Sequence, residues 1–525
     1  SLKNNLRQKG EVNIMSKFHS MINRRDFMKG LGLAGAGLGA AASTAPVFND
    51  LDGVISSPWG NWKRPWWVKE REIGNPTIEL NWNEMQRFDL RENLWVPHAF
   101  ASYIGTEKLI QIYQENSASQ IEGVRNNQSG KSLRDNALSS ASGYYFSADV
   151  PGQELKTWLG PQKTERIGVA ATPEELGAPK WQGTPEENLK MLRAAMRFFG
   201  TSQIAVSELD TNERRILSTH DSGNFLNDSY LFNWPPPDTD AKSFVFENVD
   251  KAYEGSNKYV LPDKPLWTVA IAVQMSKEMF RHESSFMRAA ANISRYRIHA
   301  MIQTLTQNFL RGLGYQGMGY PKSAWGALPA QATSILSGLS EMGRNNNFCI
   351  SPEFGPICGY FSLITDLPLA STPPIDAGIF RFCHTCRKCA QTCPSEAISF
   401  EAEPSWEIPQ SAIATDTPIK FTTPGKLTYH TDALKCRIFF DSQPDRCGRC
   451  MGTCVFNTNT SAMVHDFVKA TVSSTGLLNG FLWNADKAFG YGLVPVEETE
   501  EWWNLSLPLY GQDGSIGASN GGYNQ

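Results

Sequence analysis

The chain has 525 residues, 41% of them hydrophobic and 19% charged, with a formal net charge of −4 and a sequence pI near 6.1. This is globular composition, with length for two or three domains and a large core. It excludes a polyanion binder, because nucleic-acid partners are met by clustered Lys and Arg.

Residues 1–14 precede Met15 and carry no recognisable message. Asn23-Arg24-Arg25-Asp26-Phe27-Met28-Lys29 then leads into the apolar run Leu31 to Ala42 and the small residues Ala-Ser-Thr-Ala45. The pattern is a twin-arginine signal with an apolar stretch of about a dozen residues, where a membrane span needs about 20. Gly30, Gly32 and Gly35 match Gly-x-Gly-x-x-Gly but follow no strand, so a dinucleotide site is not read there. Export in the folded state suits a chain whose metal centres must be assembled in a reducing compartment, and it argues against reading the cysteines as disulfides.

A Trp-rich, Pro-punctuated segment follows, with Trp59, Trp62, Trp66 and Trp67, and reads as an arm laid over the body. Thr184-Pro185-Glu186-Glu187 predicts a capping box and a helix through Phe199, closed by Gly200. Ile204–Glu208 and Leu266–Val273 read as strands, the second buried. Between Tyr296 and Gly314, Ile298, Met301, Ile302, Leu305, Phe309 and Leu313 recur every three or four residues, predicting a helix with Tyr296 in its first turns. Asn345–Asn347, Asp366–Asp376 and Ala402–Lys426 read as loops, and the tail Gly511–Gln525 as weakly ordered.

Eight of the ten cysteines fall between Cys383 and Cys454. Cys383, Cys386, Cys389 and Cys393-Pro394 form the Cys-x2-Cys-x2-Cys-x3-Cys-Pro run of two-cluster bacterial ferredoxins, in which the fourth thiolate serves the other cluster. Cys447, Cys450 and Cys454 repeat it without the middle step, and Cys436 supplies the missing thiolate from a distance. Crossed ligation predicts one 4Fe-4S cluster on Cys383, Cys386, Cys389 and Cys454, and a second on Cys393, Cys436, Cys447 and Cys450. A zinc site would need only four ligands at a different spacing, and Cys349 or Cys358 could replace Cys436.

In combination these features resemble the corrinoid-dependent reductive dehalogenases of organohalide-respiring bacteria. The resemblance is carried by Arg24–Gly30, Tyr259-Val-Leu-Pro262, the helix from Tyr296 to Leu313-Gly-Tyr315, Ser351-Pro-Glu-Phe-Gly-Pro356, Thr365-Asp-Leu-Pro368, both cysteine motifs and Phe489-Gly-Tyr-Gly492. The N-terminal part, including Lys63–Glu70, is most similar to the chloroethene-reducing members. The resemblance implies an α+β fold in which a nitroreductase-like α/β corrinoid-binding core joins a ferredoxin-like domain with two 4Fe-4S clusters. Its expected boundaries are an N-terminal extension and signal over 1–45, an arm covering the corrinoid over 46–160, the catalytic core over 161–375, the cluster domain over 376–460 and a segment completing the pocket over 461–525.

It further implies a base-off corrinoid (cobalamin) with no histidine below cobalt, and Tyr296 as proton donor. A phenol, with an ordinary pKa near 10, donates poorly unless a cation stabilises its phenolate. Arg344 and Lys322 are the expected cations, Arg344 slightly preferred. Trp66, Trp67, Trp95 and Trp325 are candidate walls of the substrate pocket, while His299, His384 and His465 read as structural.

The expected reaction replaces chlorine by hydrogen on a small chlorinated hydrocarbon, a chloroethene first, with two electrons and one proton. Expected partners are a separate membrane-anchor subunit and a respiratory electron donor at the outer face of the cytoplasmic membrane, with no nucleic acid and with homo-oligomers left open. Two alternatives stand beside this reading: an epoxyqueuosine reductase-like corrinoid enzyme, and an exported ferredoxin-type electron carrier without chemistry of its own.

Overall fold

The computed structural model describes residues 64–65, 67–142, 157–161, 168–223, 240–283, 285–321, 325–457, 463–488 and 492–504. The expected signal, Trp66, Lys322, residues 489–491 and the Gly-rich tail lie outside them.

Thr184 Oγ1 accepts from the Glu187 amide at 3.2 Å, and the Glu187 carboxylate accepts from the Thr184 amide at 2.9 Å. This reciprocal cap opens a helix over Pro185–Phe198. Gly200, at φ +105°, turns the chain out of it through backbone space that a β-carbon disfavours.

The described strands, in chain order, are β1 (Lys69–Glu70), β2 (Gln203–Glu208), β3 (Ser243–Glu247), β4 (Tyr253–Glu254), β5 (Lys258–Pro262), β6 (Trp267–Gln274), β7 (Gly317–Met318), β8 (Glu341–Met342), β9 (Cys349–Ile350), β10 (Cys358–Thr365) and β11 (Ile375–Asp376). The central sheet runs β2-β6-β10-β7 with every pair antiparallel, Ile271 standing opposite both Ile204 and Phe361. A smaller sheet, β3-β5-β4, lies apart from it.

One face of the central sheet carries Ile204, Val206, Val269, Ile271, Phe361 and Leu363 against Leu192 and Met196 of the capped helix and Ile302 and Leu310 of a long helix. Each such side chain, fully buried, stabilises the fold by roughly 1.5–3 kcal/mol. On the other face Ala205, Ala270 and Ala272 leave room for Leu339 and Phe354.

The long helix spans Phe286–Leu313, capped by Ser285 and ended by Gly314 at φ +87°. It begins ten residues before the expected start, so Tyr296 stands about three turns inside it. Its buried face also differs from the apolar stripe read in the sequence: Met301 and Leu305 are 48% and 40% exposed, whereas His299, Gln303, Thr306 and Gln307 are buried. The glutamines account for this. Gln303 Nε2 donates to the Thr157 and Tyr320 carbonyls, and Gln307 Nε2 to those of Thr157, Trp158 and Gly317, so polar side chains satisfy the backbone of loops packed on the helix.

Short helices over Ile379–Thr385, Lys388–Thr392, Ala433–Ser442 and Arg449–Gly452 carry or flank seven of the eight clustered cysteines, and Cys454 follows the last of them. The N-terminal segment packs onto this half: β1 pairs with β11, and Trp67 is buried with Ile379, Phe382, Cys383 and Cys386. Among the described residues no helix is long and apolar enough to cross a membrane.

Candidate active site

The cysteines sort into two groups. Cys383, Cys386, Cys389 and Cys454 line one cavity, walled by Phe348, Ile350, Pro356, Phe382, Met451 and Phe456. Cys450 also lines it, and lies within electrostatic reach of Cys447 and Cys436 most strongly and of Cys389 and Cys393 as well. Cys436 also senses Cys393, and Cys447 senses Cys436. Cys349 and Cys358 sit elsewhere: Cys349 beside Ser334 and Ser340, Cys358 in the alanine-lined face of the central sheet.

Burial pushes the thiols up, to about 11 for Cys386 and Cys436 and about 12 for Cys389 and Cys447, and neighbouring cysteines add to this at Cys389 and Cys436. Thiols so placed become thiolates only when a metal displaces their protons. Among the described residues no three His, Cys, Asp or Glu close on a single ion. Four sulfurs standing around a mainly apolar space fit a polynuclear cluster instead.

The second assembly lies on the long helix. Arg295 Nη2 donates to the Tyr296 hydroxyl at 2.9 Å, and the guanidinium carbon stands 4.7 Å from the Tyr296 ring centroid. The ring meets Phe361 edge-on at 5.8 Å, while His299 stacks flat on Phe361 at 3.8 Å as part of the core. Arg295 Nε is buried and finds no acceptor among the described residues. Gly359 of β10 seats the arginine stem, since a β-carbon there would stand 2.6 Å from Arg295 Cδ. A bare backbone, an orphaned donor and a phenol backed by a cation form a site that suits an acceptor-bearing ligand and proton transfer.

This corrects the expected cation. Arg344, 1% exposed, is committed to the cysteine half: Nε donates to the carbonyls of Cys383 and Cys386 at 3.0 and 3.1 Å, Nη1 to Ser399 and Glu401 at 2.9 and 2.7 Å, and Nη2 to His384 at 3.2 Å. The cation that reaches the Tyr296 hydroxyl is Arg295. Adjacent helical residues do not face one another, which hid the pair from sequence reading, but the long arginine stem folds back over the neighbouring ring. Other candidate walls also lie with the cysteine half: Trp67 packs there, and Trp95, 46% exposed, stacks under Arg437 at 3.8 Å. His384 faces Glu403 at 3.4 Å.

The long helix joins the two assemblies. Its early residues Met287, Ala290 and Ala291 pack with Met451 and Cys450. Arg288 pairs with Glu283 at 3.2 Å, and Glu283 accepts from the Gly448 amide at 2.9 Å, one residue from Cys447. Tyr296 follows Arg288 by about 12 Å of helix rise. The Ser351–Pro356 turn closes the same junction, because a β-carbon on Gly355 would lie 2.3 Å from the Phe456 carbonyl oxygen.

The sequence profile of the reductive dehalogenase subunit matches residues 63–369. The chloroethene reductive dehalogenase of Dehalococcoides mccartyi (strain VS) is 32% identical over 95% of this chain and 99% of its own. Among solved structures, the catabolic reductive dehalogenase NpRdhA superposes with a TM-score of 0.55 at 18% identity. A reductive dehalogenase whose structure suggests a mechanism for B12-dependent dehalogenation gives 0.50 at 17%. Each covers 81% of this chain, which spans about half the length of theirs, 49%.

Proposed function

The chain belongs to the reductive dehalogenase family, oxidoreductases acting on carbon–halogen bonds, and on that premise we propose that it replaces chlorine by hydrogen on a chloroethene. Two electrons and one proton enter, and chloride leaves. The observation that carries the reading is the Tyr296 hydroxyl held by Arg295 at 2.9 Å, on the helix whose first turns pack against the cysteine half. The N-terminal likeness and the 32% identity to a chloroethene enzyme support the substrate class. Full-length similarity to that enzyme favours this reading over an electron carrier or an epoxyqueuosine reductase.

A base-off corrinoid, when bound, supplies a reducible cobalt that can react with a halogenated carbon or its halogen, and two 4Fe-4S clusters supply electrons one at a time. The protein's own part is different. Cys383, Cys386, Cys389 and Cys454 hold one cluster, and Cys393, Cys436, Cys447 and Cys450 the other. Tyr296 Oη delivers the proton to the carbon that loses chlorine, and Arg295 stabilises the phenolate left behind. The orphaned Nε of Arg295 offers a hydrogen bond to the corrinoid or the chlorinated ligand beside it.

On this reading residues 161–375 form a nitroreductase-like core covered by 46–160, residues 376–460 a ferredoxin-like domain, and 461–525 complete the pocket. Residues 1–45 direct export by the twin-arginine route. The enzyme then works at the outer face of the cytoplasmic membrane, with an anchor subunit and a respiratory donor.

The test is anaerobic purification of protein offered corrinoid and iron, with cobalt, iron and chloride release from chloroethenes and chloroalkanes measured on one sample. About one cobalt and eight irons are expected, with chloride released from a chloroethene. Eight irons without cobalt or chloride would leave an electron carrier.

A further inference from the structure

Arg344 is displaced from the role its sequence position suggested, and its surroundings assign it another. The guanidinium is 1% exposed and lines the cavity of Cys383, Cys386, Cys389 and Cys454. Its hydrogen-bond and ring partners are neutral: the five carbonyl oxygens named above, and the Tyr429 ring at 3.9 Å. Among the described ion pairs none involves Arg344, whereas the other cation of the cavity, Lys388, is matched by Asp486. The first centre therefore sits in a pocket with one uncompensated positive charge.

The second group of cysteines is placed differently. Arg288 faces Glu283 at 3.2 Å, Arg437 faces Asp441 at 2.7 Å, and Arg446 pairs with the same Asp441. There each guanidinium faces a carboxylate, although Asp441 serves two of them and the Arg446 side chain is 40% exposed.

A buried cation without a carboxylate is costly unless an anionic partner occupies the site. Four thiolates around a cluster provide that partner, and one-electron reduction adds a further negative charge to it. A fixed charge in a low-dielectric pocket favours the reduced form, and guanidinium keeps its charge at every accessible pH. We infer that Arg344 is a positioning residue for charge: it raises the reduction potential of the centre on Cys383, Cys386, Cys389 and Cys454 above the value that centre would have without it.

This inference rests on the two-cluster reading, and the experiment separates the two. Anaerobic holoenzyme is titrated reductively while the cluster signals are followed by electron paramagnetic resonance, with iron counted on the same sample. In Arg344→Gln one signal should shift downward and the other stay in place. Arg344→Lys, which keeps the charge, should recover most of the shift. Asp486→Asn, which frees Lys388 from its counter-charge, should move the same signal upward. Full iron content with both midpoints unmoved in Arg344→Gln overturns the inference, as does an equal shift of both signals or an equal shift in the lysine variant. Should Arg344→Gln lose iron, an unmoved signal in Asp486→Asn overturns it instead. A wild-type protein with fewer than about eight irons overturns the two-cluster reading itself.

Discussion

Replacing Arg295 by Gln tests the chemistry most directly. In the structure Arg295 Nη2 stands 2.9 Å from the phenolic oxygen of Tyr296, and both side chains are half-buried. At that separation, and an effective dielectric of about 20, a full phenolate and the guanidinium attract by roughly 6 kcal/mol. The transition state carries only part of that charge, and water reaches the pair, so about half, near 3 kcal/mol, is a realistic share. That is on the order of 100-fold in turnover. Gln preserves length and a hydrogen bond but removes the charge. Chloride release at saturating reductant should therefore fall about 100-fold in kcat, with KM little changed, because the cation acts as the proton leaves rather than when substrate binds. Arg295→Lys should stay within about 10-fold of wild type, since it keeps the charge. Cobalt and iron contents, measured alongside, exclude a folding defect. A fully loaded Arg295→Gln enzyme within about 3-fold of wild-type kcat would refute the role of this pair.

Tyr296→Phe, with cofactors retained, should lose most turnover in the same assay, and unchanged turnover would remove Tyr296 as proton donor. Gly359→Ala places a β-carbon 2.6 Å from Arg295 Cδ; overpacking of this kind costs about 1–3 kcal/mol, so a melting curve should show the loss together with reduced kcat. Cys454→Ser should lose about four irons while Cys349→Ser keeps the wild-type content, and equal iron in both would break the assignment of the sulfurs. Glu341, fully buried beneath the helix that carries Cys383, is pushed up by burial from 4.5 to about 7. Protonation in the folded state is favoured, so its stabilising effect is complete below about pH 4.5 and is lost as pH rises through 7, by roughly 3 kcal/mol. Wild type minus Glu341→Gln stability, from denaturant curves across that range, should fall with pH; a flat difference would refute it.

The sequence was most legible where the cause is local. The capping box at Thr184, the strands near Ile204 and Leu266 and the terminating Gly314 each depend on neighbours within a turn or two, and each stands where expected. The start of the long helix was not legible, because Phe286–Arg295 is interrupted by Arg288, Asn292 and Ser294 and owes its burial to distant partners. Gln303 and Gln307 broke the apolar pattern for the same reason: their bonds run to Thr157 and Trp158, which no periodicity can foresee. The cysteine spacings were strong evidence of a polynuclear metal site. The use of Arg344 was not readable, since five of its acceptors are backbone oxygens 39 to 57 residues away and invisible to a pattern of side chains.

The pairing of β1 with β11 also orders events in time. Lys69 and Glu70 emerge early in synthesis, yet their strand partners are Asp376 and Ile375, and the Trp67 carbonyl waits for the hydroxyl of Ser473. Closing a loop of that length is slow compared with forming local helices. Lys69 and Glu70 therefore have no strand partner until the chain has been made as far as Asp376, and Trp67 can pack on Phe382, Cys383 and Cys386 only after that. Anything that must be inserted among those sulfurs has the whole of that interval in which to enter.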